Sequence, residues 1–351
     1  GDICLKNISL YSIACIMFLI VGYQLMYSGV DGGLFGKPGM WVASDEAALS
    51  VPAADFNAGY STASDFFFQM VFVATTASIV SGTVAERIKL FPFLIFTAIL
   101  SGVIYPVQGA WNWGGGWLNG IGFVDFAGST TVHAAGGWAA LVGALILGPR
   151  LGRYNSKRQR RPNTKQKISD RPIPGSNLPI ATLGTFILWF GWFGFNGASQ
   201  LALGSGADVI TISNIFVNTN MAGVGGVLAS MTITKLLFKK VDLSMVLNGA
   251  LAGLVSITAG PDTPTPLIAC SIGAIGGIFA VISVPILDRL KIDDVVGAIP
   301  VHLVCGIWGT LAVPLTNDIA SFTNQLIATI AVGGFMCISS AVVWFALKYT
   351  V

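Results

Sequence analysis

Apolar residues run through this chain in long blocks divided by short polar connections, with no sustained alternation of apolar and polar positions. A block of about 20 apolar residues is the length a helix needs to cross the roughly 30 Å hydrocarbon core of a bilayer, whereas a strand of a membrane barrel would alternate. Ten segments meet or approach that length: 8–28, 64–84, 91–111, 129–148, 178–200, 211–237, 243–260, 266–287, 297–314 and 324–348. The pattern predicts an all-α polytopic membrane protein of about ten transmembrane helices, forming a single membrane domain over 1–351. No small-residue cleavage site follows the first block, which is long enough to span and is expected to stay in the membrane.

Composition agrees with that pattern. Of 351 residues, 54% are hydrophobic and 10% charged, where soluble domains carry roughly a quarter charged residues. The 43 glycines suit helices that pack closely through small residues. Cys15, Cys270, Cys305 and Cys337 lie inside apolar blocks and Cys4 near the start, so all five are expected as free thiols.

The net charge of +3 is small, but its placement is uneven. In a ten-span arrangement 18 of the 19 basic residues fall on one side and only Lys37 on the other. That asymmetry predicts both termini in the cytoplasm of a cell (inner) membrane protein. The run from Arg150 and Arg153 through Arg161 to Arg171 reads as a solvated cytoplasmic loop obeying the same rule.

The chain has two histidines, and both fall inside apolar spans. His133 stands in Val132-His133-Ala134-Ala135-Gly136-Gly137 and His302 in Val301-His302-Leu303-Val304-Cys305-Gly306, a shared Val-His-x-x-x-Gly. Glycine four residues on shares the histidine's helix face and admits a neighbouring backbone. The two spans are fourth and ninth, so they run in opposite directions, the signature of an inverted repeat with its functional site near the midplane. One such histidine is as readily a packing residue as a functional one; two in matching surroundings point to function. No further ligands have zinc spacing, so no metal is expected. Two imidazoles on two spans could also ligate a haem axially, which a visible spectrum would test.

Between spans three and four, Trp111-Asn112-Trp113-Gly114-Gly115-Gly116-Trp117 lies on the lysine-poor side. Interfacial tryptophan is common, but three glycines let the loop fold tightly and place an indole face over an opening, where a small cation is attracted. Asp125 precedes the fourth span, where it is expected to cap the helix and, in doing so, to orient backbone carbonyls towards a bound cation. Phe72 and Phe195 are candidates for an apolar constriction. There is no Walker loop, dinucleotide fingerprint or Ser/His/Asp set, and almost no carboxylate within the spans, so neither an enzyme nor a carboxylate proton relay is expected. A narrow, mostly apolar path holding two imidazoles suits a small, neutral or weakly polar permeant.

Taken together, Asp125-Phe126-Ala127-Gly128-Ser129-Thr130-Thr131-Val132-His133, Trp113-Gly114-Gly115-Gly116, Ala85-Glu86-Arg87, Gly191-Trp192-Phe193-Gly194-Phe195-Asn196 and the His302 motif resemble the Amt/Mep/Rh ammonium transporter family along nearly the whole chain. The resemblance implies a homotrimer with one pore per subunit and no cofactor or nucleic acid. It assigns Trp113, Ser199 and Phe72 to an outer ammonium site with Asp125 as the structurally essential acid nearby, Phe72 and Phe195 to a stacked gate, and His133, His302 and Trp192 to the pore. Ammonium would be recruited outside, lose a proton near the gate and cross as ammonia.

Departures from the family pattern motivate a second reading. Family members usually have eleven spans, and this sequence begins at the equivalent of the second and stops just after the last. Leu303 stands where the family commonly has glycine, and Pro300 lies just before His302. The alternative is an ammonium sensor that binds ammonium and signals to a cytoplasmic signalling domain or regulatory protein.

Overall fold

A computed structural model of the chain describes residues 1–44, 60–154 and 173–351. Among them the regular structure is helical throughout: α1 (Asp2–Tyr27), α2 (Thr62–Thr83), α3 (Leu90–Ala110), α4 (Ser129–Leu147), α5 (Leu178–Gln200), α6 (Gly206–Phe238), α7 (Leu243–Ile257), α8 (Pro266–Arg289), α9 (Ile299–Leu315) and α10 (Phe322–Thr350). Eight are long and apolar enough to cross a bilayer, and α7 and α9 are shorter apolar helices. The ten expected spans coincide with these ten helices, differing mainly at their ends. The largest differences are the starts of α1, six residues before the expected span, and of α6, five residues before it, where Ser205 and Asp208 form a reciprocal capping box that extends the helix beyond its apolar part.

In lipid, helices gain little from burying apolar surface against one another, so close backbone approach has to supply the attraction. Small residues provide it. Gly226 of α6 lies against the backbone of Gly249 and Gly253 of α7 and of Gly277 of α8, and an added Cβ at these contacts would strike main-chain atoms. A second, larger-residue core joins α3, α4 and α10, where Phe96 stacks on Trp344 with ring centroids 4.0 Å apart.

The repeat expected from the two histidine motifs is present in the packing. Each histidine lies in a π-helical turn at the start of its helix, Ser129–Ala134 in α4 and Ile299–Val304 in α9. Such turns rotate side chains out of α register and recur at functional sites. The glycines four residues on do what their position predicts. A Cβ on Gly137 would sit 2.6 Å from Leu303 Cβ and 2.7 Å from Leu303 N, while one on Gly306 would be 3.0 Å from Ala134 N. Residue 137 therefore meets 303 as 134 meets 306, an antiparallel crossing. Leu303 is buried in the core shared with α4, against Gly137, so its side chain packs helices together.

The basic connection after α4 departs from its expected solvated form at its first residues. Arg150 is buried at 9% exposure, and its guanidinium grips Asp293 through Nε to Oδ2 at 2.9 Å and Nη2 to Oδ1 at 3.0 Å, with Glu86 at 2.5 Å from Nη1. Arg87 donates to the Asp293 carbonyl at 2.6 Å, and Arg153 pairs with Asp288. The Ala85-Glu86-Arg87 motif thus ties the α2–α3 turn to the ends of α4 and α8. A charge this buried persists only when paired, which is why these arginines turn inward. The remainder of that loop, from Asn155 to Arg171, lies outside the described residues. All five cysteines are free thiols.

Candidate functional site

The polar face of α2, the Trp113 loop and the end of α5 enclose a cavity of ≈ 280 Å³ at the lysine-poor side. Trp113, Phe72 and Ser199 all line it, as do Phe126 and Phe68. The Trp113 indole is held by its own N–H, which donates to the Asp125 carbonyl at 2.9 Å. Ser199 donates its hydroxyl proton to the Phe195 carbonyl at 2.8 Å, so the lone pairs of its oxygen stay available as acceptors.

Asp125 does not line the cavity. It is 3% exposed, and its carboxylate accepts from the N–H of Gly128, Thr130 and Thr131 at 3.2, 3.1 and 2.8 Å and from the Thr131 hydroxyl at 2.8 Å. Burial pushes this carboxyl above its ordinary range against those donors, which pull it down. This is the capping role, satisfying N–H groups at the start of α4 that the π turn leaves open. Gly128, with φ of 102°, makes the turn that folds the carboxylate back over them.

Below the cavity, aromatic rings form one column. Trp113 and Phe72 have centroids 5.6 Å apart, Phe72 and Phe195 4.4 Å, and Phe195 and His133 5.3 Å. The two phenylalanines meet edge to face at 75° and are not stacked as expected, an arrangement that the ring quadrupoles favour. Beneath them the His133 and His302 rings lie nearly parallel at 15°, with their Nδ1 atoms 3.1 Å apart. One Nδ1 must therefore carry a proton and the other accept it. His133 Nε2 is buried without a partner. Trp192 stacks on His133 at 5.1 Å and is fixed by a 2.9 Å hydrogen bond from its indole N–H to the Thr258 hydroxyl. Nitrogens this close leave no width for a porphyrin between the rings, so the pair does not fit axial haem ligation.

The structure adds residues that sequence reasoning misses. Asp65, Gln69, Tyr23 and Tyr27 share the cavity with Trp113. Asp65 and Gln69 precede Phe72 by seven and three residues, on one helical face, and that spacing is a usable signal. Asp294 belongs with them. It caps α9 as Asp125 caps α4, accepting the Ile299 N–H at 2.7 Å, and it also accepts the Thr83 hydroxyl at 3.0 Å.

Comparison with known proteins shows the family. A model described as the Ammonium Transporter Family matches residues 1–351. The chain belongs to this family. It is 41% identical over 328 residues to the ammonium transporter Amt2 of Archaeoglobus fulgidus, an alignment covering 91% of this chain and 65% of that protein. The chain thus spans just under two thirds of that relative's length. A solved structure titled "Sensor Amt Protein" superposes with a TM-score of 0.86 at 34% identity, covering 99% of this chain and 84% of the other. The crystal structure of Candida albicans Mep2 superposes at 0.80 with 25% identity, covering 97% of this chain and 75% of that one. As a member of a multi-span transporter family, the protein resides in a membrane.

Proposed function

We propose that this chain is the single membrane domain of an ammonium transporter that recruits ammonium at the Trp113 cavity and passes ammonia between His133 and His302. The observation that carries the reading is the buried imidazole pair, Nδ1 to Nδ1 at 3.1 Å, directly beneath the Phe72 and Phe195 rings. Trp113 and Phe72 offer cation-π faces and Ser199 an acceptor, which together replace part of an ammonium ion's hydration. Carrying the full charge through the bilayer centre costs several kcal/mol, on the order of 3 or more, whereas ammonia avoids most of that and hydrogen-bonds to imidazole nitrogens. His133 Nε2, buried and unpartnered, is such a nitrogen. Potassium has no proton to shed and is rejected at the same place. Phe72 and Phe195 form the gate, and Trp192 lines the path beside the histidines. The charge asymmetry supports a topology with both ends of this chain on the cytoplasmic side of a cell (inner) membrane. The exposed apolar face of α5, with Ile180, Leu183, Phe186 and Phe190, is available to lipid or to neighbouring subunits of a trimer.

The test is solid-supported-membrane electrophysiology on reconstituted protein with ammonium, methylammonium and potassium pulses. A sustained ammonium-specific current that changes in His302→Ala supports transport. The match to a protein titled as a sensor supports a second reading, in which ammonium binding signals to a cytoplasmic domain. A brief binding displacement without uptake of ammonia favours that reading, which requires two states of different ammonium affinity.

A further inference from the structure

In the lining of the cavity, Asp65 is a carboxylate with no ion-pair partner among the described residues. It is 9% exposed, and its oxygens accept the Tyr23 phenol at 2.5 Å and the Gln69 amide N–H at 3.3 Å. The sequence between Ser44 and Tyr60 holds no lysine, arginine or histidine, and Lys37 is the single basic residue on this side of the charge division. Nine of the sixteen acidic residues belong to that same side.

Two further oxygens beside Asp65 are unused. Gln69 is 6% exposed and spends its amide N–H on Asp65, while its Oε1 is buried without a partner. The Tyr27 hydroxyl is likewise buried and unpartnered. Both residues line the cavity that holds Trp113 and Ser199. A buried acceptor without a donor is unfavourable, and a buried carboxylate without a counter-charge more so. An anion and two bare acceptors lining one cavity define the chemistry of the missing occupant. It is small, singly positive and rich in N–H donors. One carboxylate with neutral oxygens is a poor cage for a divalent metal, which takes six or more oxygens or several carboxylates.

We propose that Asp65, Gln69 Oε1 and the Tyr27 hydroxyl form a charged capture subsite for ammonium-sized monovalent cations, loaded before the aromatic site at Trp113. The inference rests on the ammonium reading above and deepens it. The aromatic cup has no formal charge of its own, and the Asp65 carboxylate supplies the electrostatic attraction that concentrates dilute cation at its edge. N–H donors then distinguish ammonium and methylammonium from potassium, which offers none to Gln69 or Tyr27.

The experiment is titration calorimetry of ammonium chloride, methylammonium chloride and potassium chloride into the purified chain, for wild type, Asp65→Asn, Tyr27→Phe and Trp113→Leu. Asp65→Asn keeps the shape and one of the two accepting oxygens while deleting the charge, and is expected to weaken ammonium binding about tenfold and to flatten its ionic-strength dependence. Tyr27→Phe removes one oxygen from an otherwise intact wall and is expected to weaken binding about threefold. Wild-type affinity and salt dependence in Asp65→Asn, with Trp113→Leu still weakened, overturns the subsite and leaves the ammonium reading standing. Absence of ammonium binding in the wild type overturns both. An Asp65→Asn protein that fails to fold passes the decision to Tyr27→Phe, where unchanged affinity overturns the subsite.

Discussion

Asp125 and Asp294 stand in the same relation to the two histidines. Each lies eight residues before its histidine and three before a glycine of positive φ, 102° at Gly128 and 79° at Gly297. Each accepts N–H groups from the first turn of the helix that carries the imidazole. The full repeat is therefore Asp-x-x-Gly-x-x-x-Val-His-x-x-x-Gly, built twice in opposite directions. The carboxylate fixes the π turn, the turn aims the imidazole, and the terminal glycine lets the two helices close on each other.

Removing either cap is expected to destabilise the fold, Asp125→Ala more than Asp294→Ala. Asp125 satisfies four donors at a site of 3% exposure, so its loss costs on the order of 3 kcal/mol or more. Thermal unfolding of detergent-purified variants checks this, with Asp125→Asn recovering part of the loss because one acceptor remains. Equal unfolding temperatures for wild type and Asp125→Ala would contradict the capping account.

Gly137→Ala places a methyl 2.7 Å from Leu303 N and 2.8 Å from its Cα, so the backbone itself must move. The expected cost is about 1–3 kcal/mol, and Leu303→Gly should not rescue it because the clash is with main chain as well as side chain. Gly334→Ala in α10 is the control. Nothing lies within 4 Å of its new methyl, and alanine favours a helix by roughly 0.8–1 kcal/mol. Rescue by Leu303→Gly would show that only side chains set the crossing distance.

Thr258→Val deletes the acceptor for the Trp192 indole at a buried position. The unsatisfied N–H costs about 1–3 kcal/mol and frees a ring that stacks on His133. In reconstituted protein the variant is expected to change ammonium flux or its selectivity over potassium while retaining recruitment at the outer cavity. Trp113→Leu should do the reverse, raising the half-saturating ammonium concentration with little change at saturation. Identical effects from the two substitutions would collapse the distinction between outer site and path.

Asp293 is buried, which alone would raise its carboxyl. The hydrogen bonds from Arg150, with the charges of Arg150 and Arg87, outweigh that and hold it below the usual carboxylate range. A depressed folded value contributes stability that is present above the unfolded value of about 3.9 and lost as pH falls through the folded one. Hydrogen exchange at 148–154 and 291–295 is therefore expected to be flat from pH 7 to about 5, after correction for intrinsic rates, and to rise only at more acid pH. Asp293→Asn should expose the same backbone at neutral pH and cost about 3–5 kcal/mol, because the buried Arg87 loses its ion-pair partner and Arg150 keeps only Glu86. Protection unchanged in that variant would place the strength of this junction elsewhere.

Hydropathy and charge along the chain suffice for the number of helices, their approximate limits and their opposed directions, because the bilayer enforces both residue by residue. They also mark both histidines, since an imidazole in an apolar span is costly and two in matching surroundings imply a shared role. The glycines beside them are legible as well, because 3.6-residue periodicity fixes their face. Asp294 is harder to read although its spacing repeats that of Asp125, since it sits beside Asp293 in a charged loop and spacing alone does not say which carboxylate turns toward α9. Arg150 reads as solvated for a similar reason: its partners Glu86 and Asp293 are 64 and 143 positions away. The edge-to-face meeting of Phe72 with Phe195, and the gathering of Asp65, Gln69, Tyr27 and Trp113 around one cavity, join side chains from different helices. Local pattern encodes the face each residue presents, and which faces meet is set by the crossing of α1, α2, α4, α5 and α9.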